Sequence, residues 1–421
     1  MNTAPLKAGA SGDCTVDVVE TTAGFEGLRD DWDRLLLADG RSIFESFEWQ
    51  RAWWRHFGES RPLLLLHIVV VRRAGDVIGI APLFIERVQA FGVVDVRRLA
   101  FLGRSISDYL DVVALPELRV EVATALARHL SENASAFDVC ILEDMTERSP
   151  TATALHAALV ERGMTSSLVP GDRCPRTQLK RTWPETLASF KLEHRREVQR
   201  RRRNFEKHCA FELEIAGGAA SIDADIEQFI AMQREHWTRS DDVDDGSLQR
   251  FHRDVARDLA ARGWTFLAFL RVHGRRIGFV YGFRFKDELA IYLSGTHNTG
   301  DLRQLSPGRV LSSLVMEHAI GEALSAVDFM RGPEHYKYEL GGVDVVNHTL
   351  VLEGGRSLLS AHKHNAWRLS ESLRRRVDEE KTLWSHAVGA GGAVSVTSAI
   401  HLQDRIGVIW RDGVRKWRSV S

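Results

Sequence analysis

Residues 264–297 read WTFLAFLRVHGRRIGFVYGFRFKDELAIYLSGTH. Three apolar runs rich in aromatic and β-branched residues are separated by turn residues at His273-Gly274 and Lys286-Asp287-Glu288. Such runs favour a pleated, half-buried surface, and turns this short leave antiparallel pairing as the way to satisfy their backbone groups. The stretch therefore predicts a three-stranded meander. A polar loop follows, then the helix-periodic SPGRVLSSLVMEHAIGEALS, then a short strand-like run, AVDFM.

The first half of the chain carries the same order. PLLLLHIVVVRR and VIGIAPLFIERV flank Ala74-Gly75-Asp76, a hairpin signal. VRRLAFLG and YLDVVALP add two strand-like runs, RVEVATALARHLSE an amphipathic helix, and AFDVCILEDM a buried strand. Upstream, DWDRLLLADG and FESFEWQRAWWRHFG read as helical, the latter with Phe47, Trp54 and Phe57 on one side. In the second half, IEQFIAMQREHWTRS and FHRDVARDLAARG are helical, and Gly263 stops the second of these. Each half thus reads as helices, a meander, a helix and a strand, an internal duplication with a period of about 160 residues. The fold class expected is α+β, each half a mixed, mainly antiparallel sheet flanked by helices. The expected divisions are a tail at 1–14, lobes at 15–175 and 176–352, and a helical extension at 353–421.

Bulk properties bound the partners. With 56 Lys and Arg against 57 Asp and Glu, the net charge is −1, so no global field draws the chain to nucleic acid or lipid. Cys14, Cys140, Cys174 and Cys209 are scattered, without C-x-x-C pairs or histidines at finger spacing, so neither a metal site nor a disulfide framework is expected. The first residues, MNTAPLKAGASGDCTVDVVE, contain no apolar signal segment, and LLLLHIVVV is too short to span a bilayer. A cytoplasmic location with no transmembrane segment is the expectation.

Ser306, Pro307 and Gly308 meet at the start of a helix. Serine is a favoured cap, proline fits the first helical position, and glycine lets a ligand approach the backbone. A helix mouth with free N–H groups and a positive dipole end is an anion site. Arg303 and Arg309 flank it, so the set reads either as a pyrophosphate cradle or as a well-capped helix without a ligand.

A meander strand, a polar loop, a glycine-containing helix mouth and a strand occur in this order in the GNAT acyltransferase fold. Its motif, Arg/Gln-x-x-Gly-x-Gly/Ala, is matched by Arg303 and Gly308, with Ser306 at the first glycine. More widely, the chain resembles the cellulose- and exopolysaccharide-associated acetyltransferase family, a tandem-GNAT group related to Fem-type transferases. The resembling segments are FESFEWQRAWWRHFG, VIGIAPLFI, SDYLD, EHRREVQRRRRNFEK, GRRIGFVYGF, SPGRVLSSLVMEHAI and DFMRGPEHYKYELG, in order over roughly residues 40–350. The resemblance implies two GNAT-like lobes and transfer of an acyl group from acetyl-CoA or another acyl-CoA to an amine.

That chemistry assigns roles. In a GNAT-like site the thioester carbonyl lies beside IYLSGTH, where Gly295 is expected to permit a bulge that frees an N–H. His297 is the first candidate base, with an exposed loop histidine as the alternative. In GPEHYKYELG, Tyr336 is the candidate acid for the leaving thiolate, and Glu334 and Lys337 are further catalytic candidates. Lys337 is read alternatively as a ligand for a phosphate or a substrate carboxylate. In the first half, Asp108 and Tyr109 are candidate substrate contacts, Asp108 holding an amine or a sugar hydroxyl or else capping a loop. Trp49, Trp53, Trp54 and Trp237 are read as a sugar floor or as core, and His236, on one helical face with Met232 and Trp237, as a further substrate contact or as packing. The first half lacks an SPG-like mouth, so one acyl-CoA site is expected, in the second.

The run from Lys191 to Lys207 holds eight Lys or Arg against three Glu, a net +5. Arg196, Arg200, Arg203 and Lys207 share one helical face. It fits a solvated helix, a polyanion or CoA 3′-phosphate contact, or an RNA face, the last opposed by the lack of interleaved aromatics. The leading expectation is a direct-attack N-acyltransferase acting on a small-molecule or glycan amine, such as an amino sugar or polysaccharide precursor, with nucleic acid not a partner. A Fem-like transferase using charged tRNA and a non-catalytic scaffold are the alternatives.

Overall fold

The computed structural model describes residues 14–236, 246–296, 300–354 and 362–371. The expected N-terminal tail and most of the C-terminal extension lie outside the described residues. The first half opens with β1 (Thr15–Val19), α1 (Thr22–Glu26), α2 (Arg29–Asp39) and α3 (Phe47–Trp53). Two hairpin arms follow, each broken in two: β2 (Leu64–Leu66) with β3 (Ile68–Arg73), and β4 (Asp76–Ala81) with β5 (Leu83–Ala90). β6 (Val94–Phe101), β7 (Val113–Ala114), α4 (Arg119–Glu132), β8 (Val139–Thr146), α5 (Thr151–Glu161) and β9 (Ser166–Gln178) complete it. After α6 (Trp183–Ala188) and α7 (Leu192–His208), the second half runs β10 (Phe211–Ala216), α8 (Ile222–His236), α9 (Ser247–Ala261), β11 (Thr265–Val272), β12 (Arg275–Phe285) and β13 (Glu288–Thr296). It ends with α10 (Pro307–Gly321), β14 (Ala326–Asp328), α11 (His335–Glu339) and β15 (Val343–Glu353).

The hairpin turns arise locally. Ala74 and Gly75, at φ 51° and 93°, and His273 and Gly274, at 48° and 76°, supply the paired left-handed residues that match the twist of flanking strands. Pro82 has no N–H for a ladder and stands where the second arm leaves one sheet for the other. Strands β1-β3-β4-β7 form a four-stranded sheet, and the other eleven run β10-β11-β12-β13-β14-β9-β15-β8-β6-β5-β2. The α+β class holds, with mixed, mostly antiparallel sheets flanked by helices.

The pairings repeat between halves. β13 runs parallel to β14 from Glu288↔Ala326 to Ala290↔Asp328, as β6 does to β8 from Arg98↔Val139 to Ala100↔Ile141. The halves then exchange strands. β9, the last strand of the first half, pairs with β14 of the second, and β15, the last of the second, pairs with β8 of the first. β9 and β15 pair with each other at the middle. The halves are therefore joined in one sheet, and Arg176 of β9 faces both Val343 of β15 and Asp328 of β14.

Aromatic packing locks this arrangement. Trp49 of α3 lies edge-on to Phe251 of α9 at 4.9 Å and to Phe283 of β12 at 5.6 Å between ring centroids. Trp49, Trp53 and Trp54 are all buried in this shared core, so they pack the fold and form no sugar floor. Truncating a buried tryptophan of this kind to alanine costs about 3–5 kcal/mol. The helical stretch 362–371 brings Ala366 and Trp367 onto Ala90, Val96, Val139 and Ile141. No helix among the described residues is long and apolar enough to cross a membrane.

Candidate active site

β14 pairs with β13 only as far as Ala290 and Asp328, and beyond that point the two strands part. Within β13 the register slips: Tyr281 faces Leu293 while Gly282 faces Ile291, leaving Tyr292 as the extra residue of a bulge. The bulge thus lies at Tyr292, and Gly295, expected to host it, is regularly paired with Phe279. Gly282 makes the close approach possible, since a Cβ there would stand 2.0 Å from the Ala290 carbonyl oxygen. The Tyr292 hydroxyl donates to the Ile106 carbonyl, in the first half, at 2.7 Å.

At the mouth of α10, Ser306 adopts φ 54° and ψ 53°, and its hydroxyl caps nothing. The expected side-chain cap is replaced by the Ser306 carbonyl, which accepts from the N–H groups of Arg309 and Val310 at 3.1 and 3.3 Å. Pro307 has no N–H, and the Gly308 N–H has no acceptor among the described residues. A 15-residue helix therefore presents its positive end with a free donor. A Cβ on Gly308 would meet Thr296 Cγ2 at 3.5 Å, an ordinary contact. Arg303 is exposed beside the mouth, and Arg309 is held 3.1 Å from Glu339.

The inner side of α7 reaches the same place. Arg201 pairs with Glu339 at 2.9 Å, and Arg202 pairs with Glu317 at 2.7 Å while covering the Trp183 ring. Arg196, Arg203 and Lys207 stay exposed on the outer side. The notch enclosed by Val198, Arg201, Arg309 and Tyr336 measures about 10 Å³, room for one water, so it is not itself a ligand site.

Tyr336, on α11, reaches back to β13 through a hydrogen bond with Ser294. Burial raises its phenol pKa, the Glu334 carboxylate raises it further, and the Ser294 hydrogen bond acts the other way. At neutral pH the phenol keeps its proton, which is the form a general acid needs. Glu334 is exposed and sits 2.8 Å from Lys337 Nζ. Lys337 is only 3% exposed, and its Nζ donates to the carbonyls of Met330, Arg331 and Gly332 at 3.1, 2.7 and 3.1 Å. All its donors are engaged, which corrects the reading of Lys337 as a phosphate or carboxylate ligand: it fixes the turn that carries Tyr336.

The first half closes the site with the loop 103–111. Ser107 accepts from Trp49 Nε1 at 2.8 Å and donates to the Gly103 carbonyl at 2.7 Å, which anchors the loop. Asp108 faces Arg331 at 3.1 Å, so the carboxylate expected to hold an amine already holds a guanidinium. The Tyr109 hydroxyl donates to one oxygen of Asp328 at 2.8 Å, and the Met330 N–H to the other at 2.8 Å. Both expected substrate contacts are therefore inter-half joints. Burial pushes the Asp328 carboxyl up to about 7 despite those donors, and burial likewise pushes Asp144 up to about 7 against the pull of Arg331.

The corresponding helix of the first half, α4, has a filled mouth. Its first residue, Arg119, is 1% exposed and lies 2.8 Å from Asp39 and 3.2 Å from Asp111, with Thr151 at 3.2 Å. A buried guanidinium occupies the place that α10 leaves open. Of the other expected site residues, His297 and Trp237 lie outside the described residues, as does the side chain of His236, which closes α8.

Tyr292, Ser294, Arg331 and Asp144 were not singled out from sequence. A marker for the first existed in Gly282, a glycine inside a strand pattern. Arg331 and Asp144 meet only through strand pairing across the halves, and no local signal announces them.

Residues 193–338, in the second half of the chain, match the family model of an acetyltransferase (GNAT) domain. The fold is similar to the crystal structure of FemX, with a TM-score of 0.53 and 11% identity over 79% of this chain and 96% of that one. It is also similar to a conserved protein of unknown function from Bacteroides thetaiotaomicron, with a TM-score of 0.49 and 12% identity over 80% of this chain and 100% of that one. A tandem GNAT protein from the clavulanic acid biosynthesis pathway gives 0.46 and 15% identity over 82% of this chain and 100% of that one. At such identities the likeness is one of fold. No curated protein matches the chain in sequence.

Proposed function

We propose that the chain is an N-acyltransferase that moves an acyl group, acetyl in the simplest case, from acyl-CoA to an amine on an amino sugar or polysaccharide precursor. The observation that carries this reading is the conjunction of the Tyr292 bulge, the open α10 mouth and the protonated Tyr336 around the parting of β13 and β14. In this reading the free Gly308 N–H, the α10 dipole and Arg303 hold the pyrophosphate, while the bulged strand polarises the thioester carbonyl. The amine nitrogen attacks the carbonyl carbon, a C–N bond forms and the C–S bond breaks. His297 takes the proton from the amine, and Tyr336 gives one to the departing thiolate. No acyl-enzyme intermediate is involved. Among the cysteines, burial raises the thiol pKa of Cys140 and Cys174 far above the usual range, which keeps them protonated and non-nucleophilic.

The test is thiol release from acetyl-CoA over a panel of amino sugars and polyamines, with Tyr336→Phe beside the wild type. Amine-dependent release that falls in the variant supports the reading. Binding of acetyl-CoA without release on any amine counts against it.

A further inference from the structure

A groove of about 1210 Å³ lies over β8, β9 and β15, between the first-half loop 103–111 and the helical stretch 362–371. It belongs neither to the α10 mouth nor to the bulged strand. Its charge is unbalanced. Five carboxylates line it, Glu143, Asp144, Asp172, Glu353 and Glu371, against three arginines, Arg104, Arg331 and Arg368. Arg331 alone serves two of these acids, standing 3.0 Å from Asp144 and 3.3 Å from Asp172, and also Asp108, outside the lining, at 3.1 Å. Asp108, Asp144 and Asp172 share that one guanidinium; burial first, and then the neighbouring carboxylates, raise the Asp144 carboxyl against the pull of Arg331. His364, which also lines the groove and is 4% exposed, adds no charge at neutral pH because burial lowers its pKa. Its Nδ1 has no partner among the described residues.

The remaining lining combines hydroxyls and one aromatic ring with the aliphatic Val169, Pro170 and Val351. Ser105, Ser167 and Thr349 supply hydroxyls, and Trp367 supplies an indole, whereas the Ser166 hydroxyl is 3.1 Å from His156 on α5. Hydroxyls with one aromatic plate suit a ring bearing several hydroxyl groups, which stacks on its apolar face and exchanges hydrogen bonds at its rim. The acid surplus selects for a positive charge on the same body.

We propose that this groove binds a cationic, hydroxyl-rich amine: a glycan segment carrying free, protonated amino groups. The ammonium supplies a second positive charge beside Asp144 and Asp172, which otherwise share Arg331. Arg331 ties the groove to the transfer site, because its carbonyl is held by Lys337 Nζ at 2.7 Å, and Lys337 fixes the turn bearing Tyr336. As a binding site the groove stands alone; as the place that holds the acceptor it rests on the acyltransferase reading.

Calorimetric titration of the full chain tests it, with a glucosamine tetramer, its fully N-acetylated counterpart and spermidine as probes. The variants are Asp172→Asn and Trp367→Ala, and acetyl-CoA is titrated separately into each. The glucosamine tetramer is expected to bind, the N-acetylated tetramer and spermidine at least about tenfold more weakly, and each variant to lose about tenfold for the first probe, as loss of one charge-assisted or stacking contact requires. Acetyl-CoA affinity is expected to be unchanged in both variants. No binding of the glucosamine tetramer, or binding that both variants leave intact, overturns the proposal. Equal binding of spermidine overturns its glycan part. Tetramer binding without acetyl-CoA binding upholds the groove and removes the transfer reading.

Discussion

The Tyr109 hydroxyl donates a hydrogen bond of 2.8 Å to the Asp328 carboxylate, joining positions 219 residues apart and linking the two halves beside the parting of β13 and β14. Both partners are buried. The joint is therefore part of the wall of the candidate site and part of the seam that holds the halves in register. Its chemistry makes stability depend on pH.

Asp328 has a folded-state value of about 7 against an ordinary 3.8, because burial disfavours its charge. A raised value means that the group favours the fold fully below pH 3.8 and that this contribution is lost as pH rises to about 7. Asp328→Asn removes the titration. Melting temperatures measured from pH 4 to 8 are expected to shift in favour of the variant as pH rises. The slope shrinks rather than vanishes, because Asp144 at about 7 and Glu45 at about 8 titrate in the same direction. A wild type and variant whose difference is constant with pH would contradict the assignment.

Tyr336→Phe keeps the ring and its packing at 6.2 Å from Phe329 but removes the proton donor. Turnover is expected to fall roughly 10²- to 10⁴-fold, with acyl-CoA affinity retained. Steady-state kinetics beside calorimetry separates the two effects.

Lys337→Met keeps the buried stem and leaves the carbonyls of Met330, Arg331 and Gly332 without their shared donor. A loss on the order of 3 kcal/mol in unfolding free energy is expected, readable by denaturant titration. A variant as stable as the wild type would return Lys337 to the list of ligand-binding candidates.

Arg119→Ala strands the buried Asp111 carboxylate, while Asp39 keeps its pair with Arg41 at 3.2 Å. Breaking a buried pair from one side costs about 3–5 kcal/mol. The same variant is expected not to gain a second acyl-CoA site, which a binding stoichiometry measures directly.

What was legible in the sequence was what is encoded locally. The turns at Ala74-Gly75 and His273-Gly274, the stop at Gly263 and the helix opened by Ser306-Pro307-Gly308 all stand where residue chemistry put them. The duplicated order of elements could be read for the same reason. The exchange of β9 and β15 could not, because a strand's partner two hundred residues away leaves no mark on its own composition. The partners of Lys337 and Asp108 are not legible, since a sequence shows a charge but not the carbonyls or guanidinium that fold onto it. The bulge was assigned to the glycine on its own strand, whereas the required space lies at Gly282 on the neighbouring one.

The central claim is that the α10 mouth holds acyl-CoA, and calorimetric titration with acetyl-CoA and desulfo-CoA over a Gly308 series tests it most directly. Gly308→Ala adds only a Cβ at 3.5 Å from Thr296 and is expected to fold and bind as the wild type does. Gly308→Trp fills the approach to the free N–H and is expected to bind neither ligand while melting at an unchanged temperature. Binding that survives the tryptophan, or that is absent from the wild type, would contradict the account.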